Sequence, residues 1–302
     1  MDFTVTMMGT ASAMPVRGRN QSAQVLSVHG RLFLIDCGEG VQAQLVKYRI
    51  PIMKLDTVFI SHIHGDHVFG IFGLLSTLGM KGRTQPLNIY APTNFGPILK
   101  FFLSFYGDGL AYEIRLNPLE MKSPEVIYST KGLEVLSFPL NHKIETFGFI
   151  FREKRPQWNV KKEAIERYGF TLTEIGAIKR GEDVVRPGGV IPLEEVAYLP
   201  YEPGSYAYCS DTAPFPEEPE WLRGTRVIYH ETTYLAELYE QAEKRHHSTT
   251  LQAAECALKA GARKLLIGHF SSRNNDPALY EAECRTVFPE TYAVSDGDVV
   301  EI

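Results

Sequence analysis

Ser61-His62-Ile63-His64-Gly65-Asp66-His67 follows directly on the apolar run 57–60 and puts four metal-binding side chains within six residues. Imidazole and carboxylate are ligands of Zn2+ and similar borderline cations. A tight turn at Gly65 lets His62, His64, Asp66 and His67 converge where a regular helix would splay them. A lone histidine is usually a core or surface residue, but this spacing has no comparable structural explanation. Four donors exceed what one catalytic zinc takes, because such a centre keeps a position open for water. The pattern therefore points to two ions and to further ligands elsewhere.

Candidates recur in one position, just beyond an apolar strand-like run: His142 after 133–138, Asp211 after 206–209 and His269 after 265–268. Layered α/β proteins collect ligands at the carboxyl ends of their strands. Taken singly, each residue could equally be a capping aspartate or a loop histidine. Short β-branched or apolar runs at 3–8, 23–28, 32–35, 57–60, 87–90, 133–138, 147–151, 206–209, 227–229 and 264–267 alternate with helical periods, among them the amphipathic 41–48. This predicts an α/β chain of two packed sheets flanked by helices.

The 302 residues, 44% hydrophobic and 22% charged, are enough to bury a sizeable core and exclude a disordered or fibrous chain. A formal net charge of −5 gives no bulk attraction to nucleic acid or anionic lipid, so a polyanionic partner needs a local basic patch. The first eight residues read as a strand and not as a secretory signal, and the apolar stretch 68–80 is too short to span a bilayer. No membrane association is expected. Cys37, Cys209, Cys256 and Cys284 lie far apart without a Cys-x-x-Cys pair, which suits buried thiols in a reducing cytoplasm. Residues 152–167 carry six cationic against three acidic side chains. With 171–189 they read as a basic arm protruding at about 152–190 from a single domain of 1–302, or as a solvated surface helix and loop.

The block His62-x-His64-x-Asp66-His67, the upstream Leu34-Ile35-Asp36-Cys37-Gly38-Glu39-Gly40, and the later His142, Asp211 and His269 resemble the metallo-β-lactamase superfamily along nearly the whole chain. Within it, Met14-Pro15-Val16-Arg17-Gly18-Arg19-Asn20, His230-Glu231-Thr232-Thr233-Tyr234 and His247-Ser248-Thr249 resemble motifs of the ribonuclease Z family of tRNA 3′-processing endoribonucleases. The resemblance implies an αββα sandwich of two mixed sheets and two Zn2+ per subunit. His62, His64 and His142 would hold one ion, Asp66, His67 and His269 the other, with Asp211 bridging and Asp36 orienting a ligand. It further implies a precursor-tRNA substrate and a homodimer in which one subunit's arm holds tRNA for the other's active site.

Two divalent ions about 3.5–4 Å apart lower the pKa of a bridging water and clamp a phosphodiester, so hydroxide attacks phosphorus in line. The expected products are a tRNA 3′-hydroxyl and a 5′-phosphorylated trailer. Asp66 is expected to accept a proton as the nucleophile forms. His247, supported by Glu231, is expected to protonate the departing oxygen. Thr249-x-x-Gln252 also reads as a capping box opening a helix over 251–260 that Gly261 stops. Arg17, Arg19 and Asn20 are the expected RNA contacts near the cut, and the 152–167 segment the contact to the tRNA body. Where the family shows Gly-Pro in its arm, this chain has Glu174-Ile175-Gly176-Ala177. Where it shows Gly-Asp-Thr-Arg, this chain has Ser210-Asp211-Thr212-Ala213. The competing readings are another dinuclear zinc hydrolase of the superfamily, a small-molecule phosphodiesterase or thioester hydrolase, and a non-catalytic RNA-binding protein with structural zinc. The last fits poorly, since structural zinc sites are closed and usually thiolate-rich.

Overall fold

The computed structural model describes residues 3–14, 16–274 and 276–302. Met1 and Asp2 of the first predicted strand and Pro15 of the Arg17–Asn20 loop lie outside the described residues. The chain forms two compact units, one of Met1–Tyr128, Val135–Phe151 and Ser205–Ile302, and a second of Ser129–Glu134 and Arg152–Gly204.

Two seven-stranded sheets organise the first unit. One runs in the order Val299–Glu301, Phe3–Gly9, Ala23–Val28, Arg31–Ile35, Leu55–Phe59, Leu87–Pro92, Ile114–Leu119. The other runs Thr291–Ala293, Lys264–Gly268, Val227–Glu231, Ser205–Cys209, Phe147–Glu153, Leu133–Pro139, Glu125–Ser129. Both are mixed in character: the first opens with antiparallel pairs and continues in parallel from Arg31–Ile35. In the second, the four strands from Ser205–Cys209 to Thr291–Ala293 are parallel. Alternating large side chains fill the space between the sheets. Phe59 lies 5.2 Å from Phe149 and 5.3 Å from Phe151, and Phe33 lies 5.9 Å from Phe151, ring to ring. Burying each such ring is worth about 1.5–3 kcal/mol.

Helices cover the outer faces. Val41–Lys47, Gly70–Met80 and Phe95–Tyr106 supply Leu45, Leu74, Leu78 and Leu99 to a core against the first sheet. Thr250–Ala260 and Pro277–Arg285 supply Ala254, Ala257 and Cys284 to a core against the second. The two-sheet sandwich with helices outside is the predicted αββα arrangement. The stretch 70–80, conspicuous in the sequence for its apolarity, is an eleven-residue helix. No helix among the described residues is long and apolar enough to cross a membrane. The predicted capping box is present: Thr249 Oγ1 accepts from the Gln252 N–H, and Gly261 ends the helix at φ 69°.

The second unit has a small core of its own, in which Ala164, Phe170, Ile178, Val184, Val196 and Ala197 are buried. Its helices are Lys162–Tyr168, Leu172–Arg180 and Leu193–Val196, the second opened by a Thr171–Glu174 capping box. Much of its positive charge is internally compensated, by Arg186–Glu174 at 2.7 Å, Arg180–Glu182 at 2.7 Å and Arg167–Glu195 at 3.3 Å. A cleft of about 310 Å³ is lined by Arg155, Trp158, Lys179 and Arg180.

Candidate metal centre

The ligand candidates sit where strands of the first unit give way to loops. His62 follows Leu55–Phe59, Asp211 follows Ser205–Cys209, and His269 directly follows Lys264–Gly268. The turn expected at Gly65 is the start of a short helix, Gly65–Val68, with His64 at its N-cap and Asp66 and His67 in its only turn. Gly65 has ordinary helical backbone, and what it provides is room: a Cβ there would lie 2.3 Å from the Phe69 ring. His269 and Asp36, by contrast, are non-glycine residues at φ 60° and 57°, a left-handed conformation that costs energy and clusters at functional sites.

All seven candidates come together in two sets. His62, His64, His142 and Asp211 form one, and Asp66, His67 and His269 the other, with the ligand atoms of each set within 4.8 Å of one another. Asp211 faces both. Its Oδ2 lies 3.6 Å from His62 Nε2 and 3.9 Å from His142 Nε2. Its Oδ1 lies 3.5 Å from His67 Nε2 and 3.2 Å from His269 Nε2. Within the sets, His62 Nε2 is 3.0 Å from His64 Nδ1, and His67 Nε2 is 3.3 Å from His269 Nε2.

Hydrogen bonds at the far side of each ring fix which nitrogen points inward. Asp36, fully buried, accepts at Oδ2 from Ser61 Oγ (2.8 Å), His67 Nδ1 (2.7 Å) and Tyr208 Oη (2.7 Å), and at Oδ1 from the Ser61 N–H (2.7 Å). Because Ser61 donates to Asp36, its oxygen accepts from His62 Nδ1 at 2.9 Å. His142 Nδ1 donates to the His246 carbonyl (2.8 Å), and His269 Nδ1 to Thr233 Oγ1 (2.8 Å). The Nε2 atoms of His62, His67, His142 and His269 are thereby left to face the centre, the arrangement that orients metal-binding imidazoles. The hydrogen bond from His67 to Asp36 is the contact expected of Asp36 from the sequence. Ser61, Tyr208 and Thr233 were missed, although Ser61 and Thr233 lie inside the quoted motifs. Tyr208 is one aromatic residue among several in its strand and carries no signal.

The donor set fits divalent cations. Burial holds His62, His64 and His142 below the usual imidazole range, in the neutral ligating form. Burial pushes Asp66 and Asp211 upward, but His67 and His269 outweigh it and keep both carboxyls ionised. Against burial, the carboxylates Asp211, Asp66 and Asp36 in turn hold the His67 ring above the usual imidazole range. Asp211 Oδ1 is buried and accepts no hydrogen bond among the described residues, a costly condition that coordination would relieve. A third buried group, Cys209, Glu218 and His230, also has ligand spacing. There His230 Nε2 lies 3.2 Å from Glu218 Oε1 and Nδ1 donates to the Glu231 carbonyl at 2.8 Å, so its polar atoms are internally satisfied.

Beside the centre, buried Glu231 accepts at Oε1 from His247 Nδ1 (2.9 Å) and the Ser248 N–H (2.8 Å), and at Oε2 from the Thr233 N–H (2.8 Å) and hydroxyl (2.7 Å). Burial alone would lower the His247 pKa. The Glu231 carboxylate, with Asp211, overcomes it and pushes the value up to about 9. The cleft over these groups, about 620 Å³, is lined by His64, Asp66, His142, Asp211, His247 and His269 together with Ser12 to Met14. Lys143, Arg245 and Arg273 also line it, and the sequence had singled out none of the three. Arg17, Arg19 and Asn20 do not line it: Arg17 is exposed beside Gly18, and the Arg19 guanidinium lies 5.0 Å over the Phe270 ring.

Fold and site together define a metallo-β-lactamase-fold protein with a buried cluster of His and Asp side chains at metal-ligand spacing. A family model described as anti-Pycsar protein Apyc1 matches residues 3–103. Across almost its full length the chain is 37% identical to ribonuclease Z of Bacteroides thetaiotaomicron, covering 99% of this chain and 95% of that protein. It is 38% identical to ribonuclease Z of Cytophaga hutchinsonii, covering 98% and 95%. On this relationship the chain belongs to the ribonuclease Z family. The short form of human tRNase Z has the same fold, with a TM-score of 0.72 at 24% identity over 99% of both chains.

Proposed function

We propose that this protein is an endoribonuclease that removes the 3′ trailer from precursor tRNA, with two Zn2+ per subunit held by His62, His64 and His142 and by Asp66, His67 and His269, bridged by Asp211. The observation that carries the reading is the Glu231–His247 pair standing beside both ligand sets in a chain with full-length ribonuclease Z relatives. Bound divalent ions supply polarisation of the phosphodiester oxygens and acidification of a water. Asp66 takes the proton of the attacking water. His247, protonated at neutral pH and steered by Glu231 through Nδ1, gives its Nε2 proton to the departing 3′-oxygen. Proton and charge then balance: the P–O3′ bond breaks, leaving a tRNA 3′-hydroxyl and a 5′-phosphate on the trailer.

RNA contacts are assigned to Arg17, Arg19 and Asn20 near the cut. The 152–190 segment of the 302-residue chain is assigned as an arm contacting the tRNA body, with Arg155 and Lys179 beside Trp158 offering both charge and a stacking face. The test is cleavage of a 3′-extended precursor tRNA, with and without chelator, followed by end-group analysis of the products. Arg17→Ala with Arg19→Ala, and separately Arg155→Ala with Lys179→Ala, are expected to weaken tRNA cleavage and flatten its salt dependence while sparing bis(p-nitrophenyl) phosphate. Equal losses on both substrates would place this chain with the small-substrate hydrolases of the same fold.

The assembly is assigned as a homodimer in the cytoplasm. Helix Phe95–Tyr106 exposes Phe101 (69%) and Phe105 (68%) one turn apart on one face, their rings 5.1 Å from each other, an apolar patch of the kind that marks protein interfaces. The four buried free thiols suit a reducing compartment. Phe101→Glu with Phe105→Glu is expected to convert a dimer to a monomer in size-exclusion chromatography with light scattering. A mass that does not change with these substitutions would remove this face from the interface.

A further inference from the structure

The loop 10–20 begins where strand Phe3–Gly9 ends and returns into Ala23–Val28, and its base is tied down at two places. On one side, the Phe270 N–H donates to the Thr10 carbonyl at 3.1 Å and the Ser12 N–H to the Phe270 carbonyl at 3.3 Å, next to His269. On the other side stands Asp296, in the turn before the last strand. Its Oδ1 accepts from Thr10 Oγ1 at 2.8 Å. Its Oδ2 accepts from the Asn20 N–H at 2.7 Å, Asn20 Nδ2 at 2.9 Å and Gln44 Nε2 at 3.1 Å. The Asp296 carbonyl accepts from Tyr48 Oη at 2.9 Å. One half-buried residue thus joins both ends of the loop to helix Val41–Lys47 and to the residue after it. Four donors on one carboxylate are more than any neutral side chain of this size can accept in the same geometry.

We propose that Asp296 is a positioning residue for substrate: it locks the loop that carries Arg17 and Arg19, and Asn20 belongs to this anchor through its side-chain amide. The inference rests on the tRNA-processing reading above for its consequence and on the hydrogen bonds alone for the anchoring. With the anchor intact, the loop's cationic side chains meet RNA from a fixed backbone and little ordering cost is paid on binding. Without it, the same side chains remain but the loop and both arginines have to be ordered when RNA binds, a cost that falls on affinity.

The experiment uses the full metal-loaded chain. Asp296→Ala is expected to raise KM for precursor tRNA by about tenfold to a hundredfold, with kcat changed far less. Turnover of bis(p-nitrophenyl) phosphate and metal content should stay within twofold of wild type. Amide hydrogen exchange over residues 10–20 should accelerate, while that of the sheets does not. Thr10→Val with Gln44→Leu removes two donors without touching the carboxylate and is expected to move KM in the same direction by less, which keeps the test open if Asp296→Ala does not fold. An unchanged tRNA KM, or parallel loss on both substrates, overturns the proposal. Failure of the wild-type protein to cleave precursor tRNA refutes the assigned reaction instead, and the exchange measurement still decides whether Asp296 holds the loop.

Discussion

Asp211→Ala is expected to empty both halves of the metal centre and to lower precursor cleavage by on the order of 10³-fold or more, beyond the loss of a single transition-state hydrogen-bond donor. The reason lies in the division of its two oxygens: Oδ2 is the only carboxylate oxygen in the first set, and Oδ1 stands 3.5 and 3.2 Å from His67 and His269 in the second. The first set has no other carboxylate, and in the second Asp66, 3.4 and 3.5 Å from the same two imidazoles, serves that set alone. Asp211→Asn keeps the shape and one oxygen, so it should retain more metal than alanine while remaining strongly impaired. Elemental analysis of the purified variants gives the answer independently of activity. Two ions still tightly bound in Asp211→Ala would show that the carboxylate does not bridge.

His247→Ala is expected to leave metal content unchanged and to lower kcat for precursor tRNA by about 10²- to 10⁴-fold, the usual contribution of a positioned proton donor. His247 also comes within ligand range of Asp211 and His269, so metal content is a real test and not a formality. Its Nδ1 is held by Glu231 at 2.9 Å, which favours the proton-donor role over ligation. The loss should be smaller for a p-nitrophenyl diester, whose leaving group departs without protonation. Loss of an ion in this variant would make His247 a ligand, and an unaltered cleavage rate would remove it from the reaction.

Much of the fold was legible because strands buried on both faces read as continuous apolar runs. Residues 206–209 and 264–267 lie within a residue of the true strand limits for this reason. The strands that escaped notice are at or near sheet edges: Ile114–Leu119 contains Arg115 and Pro118, and Val299–Glu301 is only three residues long. Such segments are specified by their neighbours more than by their own pattern. At the site, the donors announced themselves by residue type, and their convergence followed from standing at strand ends. The network behind them was harder to read. Asp36 could be suspected from its motif, but its four simultaneous donors come from Ser61, His67 and Tyr208, which only the folded chain brings together. Likewise, nothing in Val294-Ser295-Asp296-Gly297 indicates a partner 276 positions away at Asn20.

The two ligand sets draw on both sheets, and the last donor, His269, lies beyond the third of the four parallel strands of the second. A polypeptide still leaving the ribosome therefore carries the histidine-rich turn of its first half long before the carboxylate and imidazole that complete it. The seven side chains of the two sets thus come together only when the carboxyl-terminal strands dock.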